Sequence, residues 1–213
     1  VAVGLGALGS VTTGDFNVAV GSAALNQVTT AEDNVAMGRA ALQVNTAANN
    51  TGIGSLALYL NTTGTENSGC GRGILQSNTT GSNNTAMGAY TLHNNTTASN
   101  NTAVGRNALK ANTTGTENTM VGSLAGDAVT TGSNNTGVGR QALGSVTTGG
   151  NNTAIGWNAL LFTTTPNSNV AVGFNSLSAN VTGSSNTALG TNTLADNTGS
   201  ENVSVGNHSM RLN

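Results

Sequence analysis

The residues best able to do chemistry in this chain are few and scattered. Gly4-Leu5-Gly6-Ala7-Leu8-Gly9 spells GxGxxG. A dinucleotide site needs a strand before such a run, a long helix after it and an acid about 20 residues on. Here the run reads as a degenerate copy of a Gly-rich repeat, and no cofactor is expected. The single cysteine, Cys70, excludes an internal disulfide; it stands at an apolar position and reads as a small buried hydrophobe. His93 and His208 lie far apart with no cysteine or second histidine nearby, so no zinc site is expected. The acids Asp15, Asp33, Glu66, Glu117, Asp127, Asp196 and Glu201 are sporadic, whereas calcium-binding β-rolls repeat an Asp in every coil. A catalytic site needs unlike residues gathered at one place. This chain supplies like residues everywhere, and the expectation is a protein that is not an enzyme.

The likeness is periodic. A glycine following an apolar residue recurs at Gly4, Gly21, Gly38, Gly54, Gly71, Gly88, Gly105, Gly122, Gly139, Gly156, Gly173, Gly190 and Gly206. The step is 17 residues except at Gly38–Gly54 and Gly190–Gly206, where it is 16. Both shortfalls fall in a Thr-rich connection, where a loop tolerates a deletion. One repeat array therefore fills residues 1–213. Charged residues are 7% and aromatics 3%, far below an ordinary globular domain. The strict phase of the apolar positions and a net charge of only −2 oppose disorder. Six Lys+Arg against eight Asp+Glu leave no basic patch for nucleic acid. No apolar run approaches the roughly 20 residues of a membrane span. The chain starts and stops inside a repeat, as a segment of a longer fibre would.

With the glycine as position zero, an apolar residue precedes it and an Asn stands four before it, from Asn17 through Asn202. Leu stands four after it in most copies, and Thr-Thr follows at eight and nine. Seventeen residues are too few for two packed helices, whose repeats run to about 33 or more. Gly and Asn suit turns, and short β-branched runs suit strands. The expectation is an all-β, parallel β-solenoid or β-roll of about thirteen coils. Each coil would carry two short strands, one before the glycine and one at the x-Ala-Leu stretch. At a spacing of about 4.8 Å the rod would be roughly 60 Å long.

Stacking would put identical side chains above one another. Asn17, Asn34, Asn50, Asn67, Asn84, Asn101, Asn118, Asn135, Asn152, Asn169, Asn186 and Asn202 should then form a buried hydrogen-bonded ladder. The N-x-Thr tripeptides match a glycosylation acceptor but recur because the coil recurs. The expected core is Val20, Met37, Ile53, Cys70, Met87, Val104, Val121, Val138, Ile155, Val172 and Leu189 before the glycines. It continues with Leu25, Leu42, Leu58, Leu75, Leu92, Leu109, Leu143, Leu160, Leu177 and Leu194 after them. By strand alternation, the Ala before each inward residue would face out. Stripes of Ala, Gly and Ser and a thin core would then favour several chains packed along one axis, most simply three.

Directly after the glycine, Arg39, Arg72, Arg106 and Arg140 skip alternate coils. Stacked in every coil, like charges would repel at under 5 Å. The alternation reads as charge relief, aided by Glu66 or Glu117, or as a cationic stripe for an anionic glycan or partner chain. Trp157, Phe162 and Phe174 fall late in the chain and could form a sugar-stacking patch or an end of an oligomer core. Arg39, Arg72, Arg106, Arg140, Trp157 and Phe174 are thus the expected surface-contact residues.

The phrases NTAVGRNAL and TTGSNNTA resemble repeats of bacterial and phage surface fibres. They look like the head of YadA-like trimeric autotransporter adhesins and like shafts of tail fibres that end in an endosialidase-type chaperone. The resemblance covers the entire chain. It implies a left-handed β-roll in a homotrimer, displayed outside a cell or on a virion. The 17-residue step departs from the shorter adhesin repeat by an added Thr-Thr-Gly connection. The expected role is a structural or adhesive extracellular fibre whose partners are copies of itself, including head-to-tail stacking, and a surface glycan or protein receptor. A phage tail-fibre receptor-binding shaft and an ice-binding β-solenoid with Thr ladders are the alternatives.

Overall fold

The structure, a computed structural model, describes residues 1–210. Among them lie thirteen short strands, β1 (Ala2–Val3) through β13 (Val203–Val205), and no helix. The strands pair in parallel in strict chain order, each with the next coil. Partners are 17 residues apart, as in Thr102↔Thr119, and 16 where a residue is missing, as in Val35↔Thr51 and Thr187↔Val203. The missing residue lies in the Thr-rich connection. There Asn45 Nδ2 reaches a carbonyl two residues on, whereas Asn61 spans three. The strand register passes both deletions undisturbed. The chain is a β-solenoid of about twelve turns, as the 17-residue step requires.

Each coil holds one strand, not the two expected. The x-Ala-Leu stretch is a turn, because the Leu itself is left-handed: φ is 50° at Leu109 and 52° at Leu160. An extended strand cannot pass through that conformation. The inter-coil ladder persists across the turn nonetheless, for example from Leu109 N to Ala125 O at 3.0 Å. A left-handed Leu is costly, of order 1–2 kcal/mol. Full burial of the side chain, worth about 1.5–3 kcal/mol, offsets that cost.

The loss of the second strand corrects the core as well. The ten expected leucines, Leu25 through Leu194, are fully buried. The row before the glycine is not in the interior of the coil. Met37, Ile53, Cys70, Met87, Val121, Val138, Ile155 and Leu189 are exposed, and Val20, Val104 and Val172 are half-buried. The small middle residue of each strand points inward instead: Ala19, Ala36, Ala103, Ala154, Ala171 and Ala188 are fully buried. The coil is too narrow for two large side chains across from one another. Ala24, Ala41, Ala57, Ala108, Ala125, Ala142 and Ala159 are buried too. Alternation fails there, since it holds only for extended backbone. The expected outer stripes of Ala are therefore absent at these positions.

One coil shows how tightly the interior volume is set. In β8 (Thr119–Val121) the inward residue is Met120, fully buried, and Gly126 replaces the usual Leu. A Cβ on Gly126 would lie 2.9 Å from Met120 Sδ, and one on Gly137 in the next coil 2.5 Å from it. Met120 thus fills the space that Leu fills elsewhere. Met120→Ala alone should lose about 2–5 kcal/mol, and Gly126→Leu alone should be destabilised by overpacking. The double variant restores the Ala/Leu pairing of neighbouring coils and should fall within about 1.5 kcal/mol of the parent. Chemical denaturation of the four chains would read the coupling directly; additive losses would contradict the volume exchange.

Candidate functional site

Two asparagine files run inside the column. In the expected one, the backbone N–H of each Asn donates to the side-chain oxygen of the Asn one coil earlier, from Asn34 onto Asn17 through Asn202 onto Asn186, at 2.9–3.1 Å. Its amide also reaches a connection carbonyl, as Asn118 Nδ2 reaches Gly132 O at 2.9 Å. The second file was not expected. Asn45, Asn61, Asn78, Asn95 and Asn112 stand seven after their glycines, and the amide of each of the last four donates to the Asn oxygen one coil before. Its sequence signal is the Asn preceding Thr-Thr. The files converge on shared carbonyls: Gly115 O accepts from both Asn101 and Asn112 at 3.0 Å. The second file stops at Asn112, whose Oδ1 is buried without a donor because Val129 occupies the next coil. These files hold the column together and are closed to ligands by their burial.

The Thr-Thr pairs are likewise turned to internal use. The first hydroxyl of most pairs donates to the next coil's Thr carbonyl, as Thr79 Oγ1 to Thr96 O at 3.0 Å and Thr113 Oγ1 to Thr130 O at 3.1 Å.

The outside of the column offers one continuous feature, the outer strand face. Two files line it. After β1, the residue that begins each strand is Thr, Val or Ser, and the residue that ends every strand is Val, Met, Ile, Leu or Cys. None of the thirteen strands contains a charged residue. In β5 (Ser68–Cys70) the shorter Ser and Cys leave a notch of about 130 Å³ between Ile53 and Met87, with Cys70 exposed in it.

Charges stand at the two edges of this face. Arg39, Arg72, Arg106 and Arg140 are exposed two residues after their strands, and Asp33, Glu66, Glu117 and Glu201 are exposed two residues before theirs. The expected pairing of the arginines with Glu66 or Glu117 does not form within the chain; the strand between keeps the two edges apart. Two arginines lean instead on rings of the next coil, Arg72 over Tyr90 at 5.5 Å and Arg140 over Trp157 at 5.7 Å. Trp157 meets Phe174 edge-on at 5.3 Å. Phe162 is exposed without a ring contact to either, so the expected aromatic cluster is a pair with an arginine cap.

The remaining chemical residues are dispersed. His93 Nδ1 lies 2.8 Å from Gly73 O, and its ring packs on Tyr90, while His208 sits near Asn192 at the last coil. Among the described residues no three His, Cys, Asp or Glu groups converge as metal ligands would. Gly4–Gly9 enters turns rather than a helix. The Asp127 carboxyl titrates above the usual carboxylate range, chiefly because burial disfavours its charge; its backbone hydrogen bond and Lys110 in the adjacent coil pull the other way. Its proton is therefore held more tightly folded than unfolded. This site adds stability as pH falls through that raised value and loses it as pH rises. Compared with protein-family models, with curated proteins and with solved structures, the chain matches none.

Proposed function

We propose that the chain is a rigid segment of a structural and adhesive fibre, displayed outside a cell or on a virion and built from copies of itself, most simply three. One observation carries the reading: an uncharged strand face runs unbroken along all thirteen strands of a single hydrogen-bonded column. Such a face repeats one weak contact many times, so that contacts in register add up as linked sites do. A fibre uses that arithmetic twice, to bind its own copies and to hold a polyvalent surface. The exposed Arg140, Trp157 and Phe174 are the groups on this rod best suited to a sugar or protein receptor. A phage tail-fibre shaft would use the same physics.

The test is density-dependent adhesion. Beads densely coated with the chain should adhere to cell surfaces or immobilised glycans, and sparsely coated beads should not. Equal failure at all densities would remove the adhesive part and leave a spacer. Ice binding is the second reading, and a specific observation favours it. Thr51, Thr85, Thr102, Thr119, Thr136, Thr153 and Thr187 share one row of the strand face, with Val, Ile, Met or Leu two residues on. They form a grid about 4.8 Å by 6.6 Å. Absence of thermal hysteresis at high protein concentration would remove it.

A further inference from the structure

The charges at the two edges of the strand face carry an inference that rests on the self-association just described and specifies its geometry. We propose that the Arg edge and the acid edge are a register code: copies of this chain pack strand face to strand face, parallel and in register, with the arginines of one against the acids of the next.

The positions match in two coils and to within one coil in a third case, while Arg140 and Glu201 flank strands four coils apart. Asp33 and Arg39 flank the same strand, β3 (Val35–Met37). Glu66 and Arg72 flank β5 in the same way. Arg106 follows β7 (Thr102–Val104), and Glu117 precedes the adjacent β8. All six are exposed, and none has an ion-pair partner among the described residues. A symmetry axis parallel to the rod turns the Arg edge of one copy toward the acid edge of its neighbour at the same height. A two-fold axis across the rod sets like edges together and reverses the coil order. Charge therefore selects the first arrangement and penalises the second.

The acids stand where the backbone disfavours them. Asp33, Glu66, Glu117 and Glu201 all have φ between 56° and 61°. Asn, which tolerates that conformation better, fills the same file at Asn49, Asn83, Asn100, Asn134 and Asn151. The area is also of the right order. A strip about 60 Å by 10 Å is roughly 600 Å² per copy from strand dimensions. The charged edges widen it toward the roughly 800 Å² per partner of a stable complex.

Three variants of the full chain test this. Arg39→Glu/Arg72→Glu/Arg106→Glu makes both edges acidic between residues 33 and 117. Asp33→Arg/Glu66→Arg/Glu117→Arg makes both basic over the same stretch. The third carries all six changes and so exchanges the edges there. The readouts are mass in solution and modification of Cys70 by a maleimide, with circular dichroism checking that each folds. The parent and the six-fold variant should have masses of at least twice 20.9 kDa, with Cys70 protected inside the assembly. Each three-fold variant should fall to the single-chain mass with Cys70 freely modified. Assembly and Cys70 protection unchanged in the three-fold variants would overturn the register code and leave the fibre reading standing. Failure of the six-fold variant to reassemble would overturn the code too. A parent that stays a single chain at all concentrations would overturn both.

Discussion

Gly105→Ala should break the column in the middle. A Cβ on Gly105 would stand 2.4 Å from Gly122 O and 2.5 Å from Gly122 C, both backbone atoms of the next coil. Neither can swing aside as a side chain would. The φ of Gly105 is also +134°, a region that L residues rarely adopt. The backbone term alone is about 1–3 kcal/mol. With the clash the loss should exceed about 4 kcal/mol, in the exceptional range for one substitution. Gly206→Ala supplies the control. Its φ is +123°, but the nearest atom to its Cβ is Ser209 Cβ at 3.8 Å. That variant keeps the backbone term and lacks the clash. Each coil touches only its neighbours, so damage in a solenoid stays local until the column divides. Hydrogen exchange in Gly105→Ala should accelerate first in the coils of Gly88, Gly105 and Gly122, and thermal unfolding should broaden or split. A single transition close to the parent's, or an equal loss from Gly206→Ala, would contradict the stacked-glycine account.

The same repetition decided what could be read from the sequence. Strict spacing exposed the parallel stack, the expected Asn file and the Leu row, because a residue that must meet its own copy cannot change. Spacing does not say which way a side chain faces. In the Thr-Ala-Val strands, the larger apolar residue is the natural candidate for the interior, yet the structure turns Ala inward and Val outward. The deciding fact is the width of the coil, which periodicity does not report. The sequence does hold a trace of it: where the middle residue grows to Met120, the Leu six on shrinks to Gly126. A compensating pair of that kind identifies positions that share one space. The pairing of Ala with Leu, both buried, was hidden for another reason. It depends on a left-handed Leu, a conformation that sequence propensity argues against. The edge charges were visible, but their relation to one strand face required knowing that the strand is three residues long with its outer side bare.

Asn118→Val should be the most damaging polar substitution, and Asn112→Val much milder, although both residues are fully buried. Asn118 donates to Gly132 O at 2.9 Å and to Asn101 Oδ1 at 3.2 Å. Its own oxygen accepts from Asn135 N at 3.0 Å and Asn135 Nδ2 at 3.1 Å. Valine would strand the Asn135 backbone N–H and deprive Gly132 O of its side-chain donor. Each buried orphan costs about 1–3 kcal/mol, so the total should reach about 3 kcal/mol or more. Asn112 is the last of its file. Its Oδ1 already lacks a donor, and Gly115 O keeps Asn101 if Asn112 is lost. Replacing it removes one unsatisfied oxygen and leaves another, Asn95 Oδ1, in its stead, so the number of orphans does not rise, and Val already fills the equivalent place at Val129. The loss there should be about 1 kcal/mol, the net worth of one ordinary hydrogen bond. Urea midpoints of the two variants separate the cases. Equal midpoints would mean that the first file is only a packing column, and that hydrogen bonding along it does not hold the coils in register.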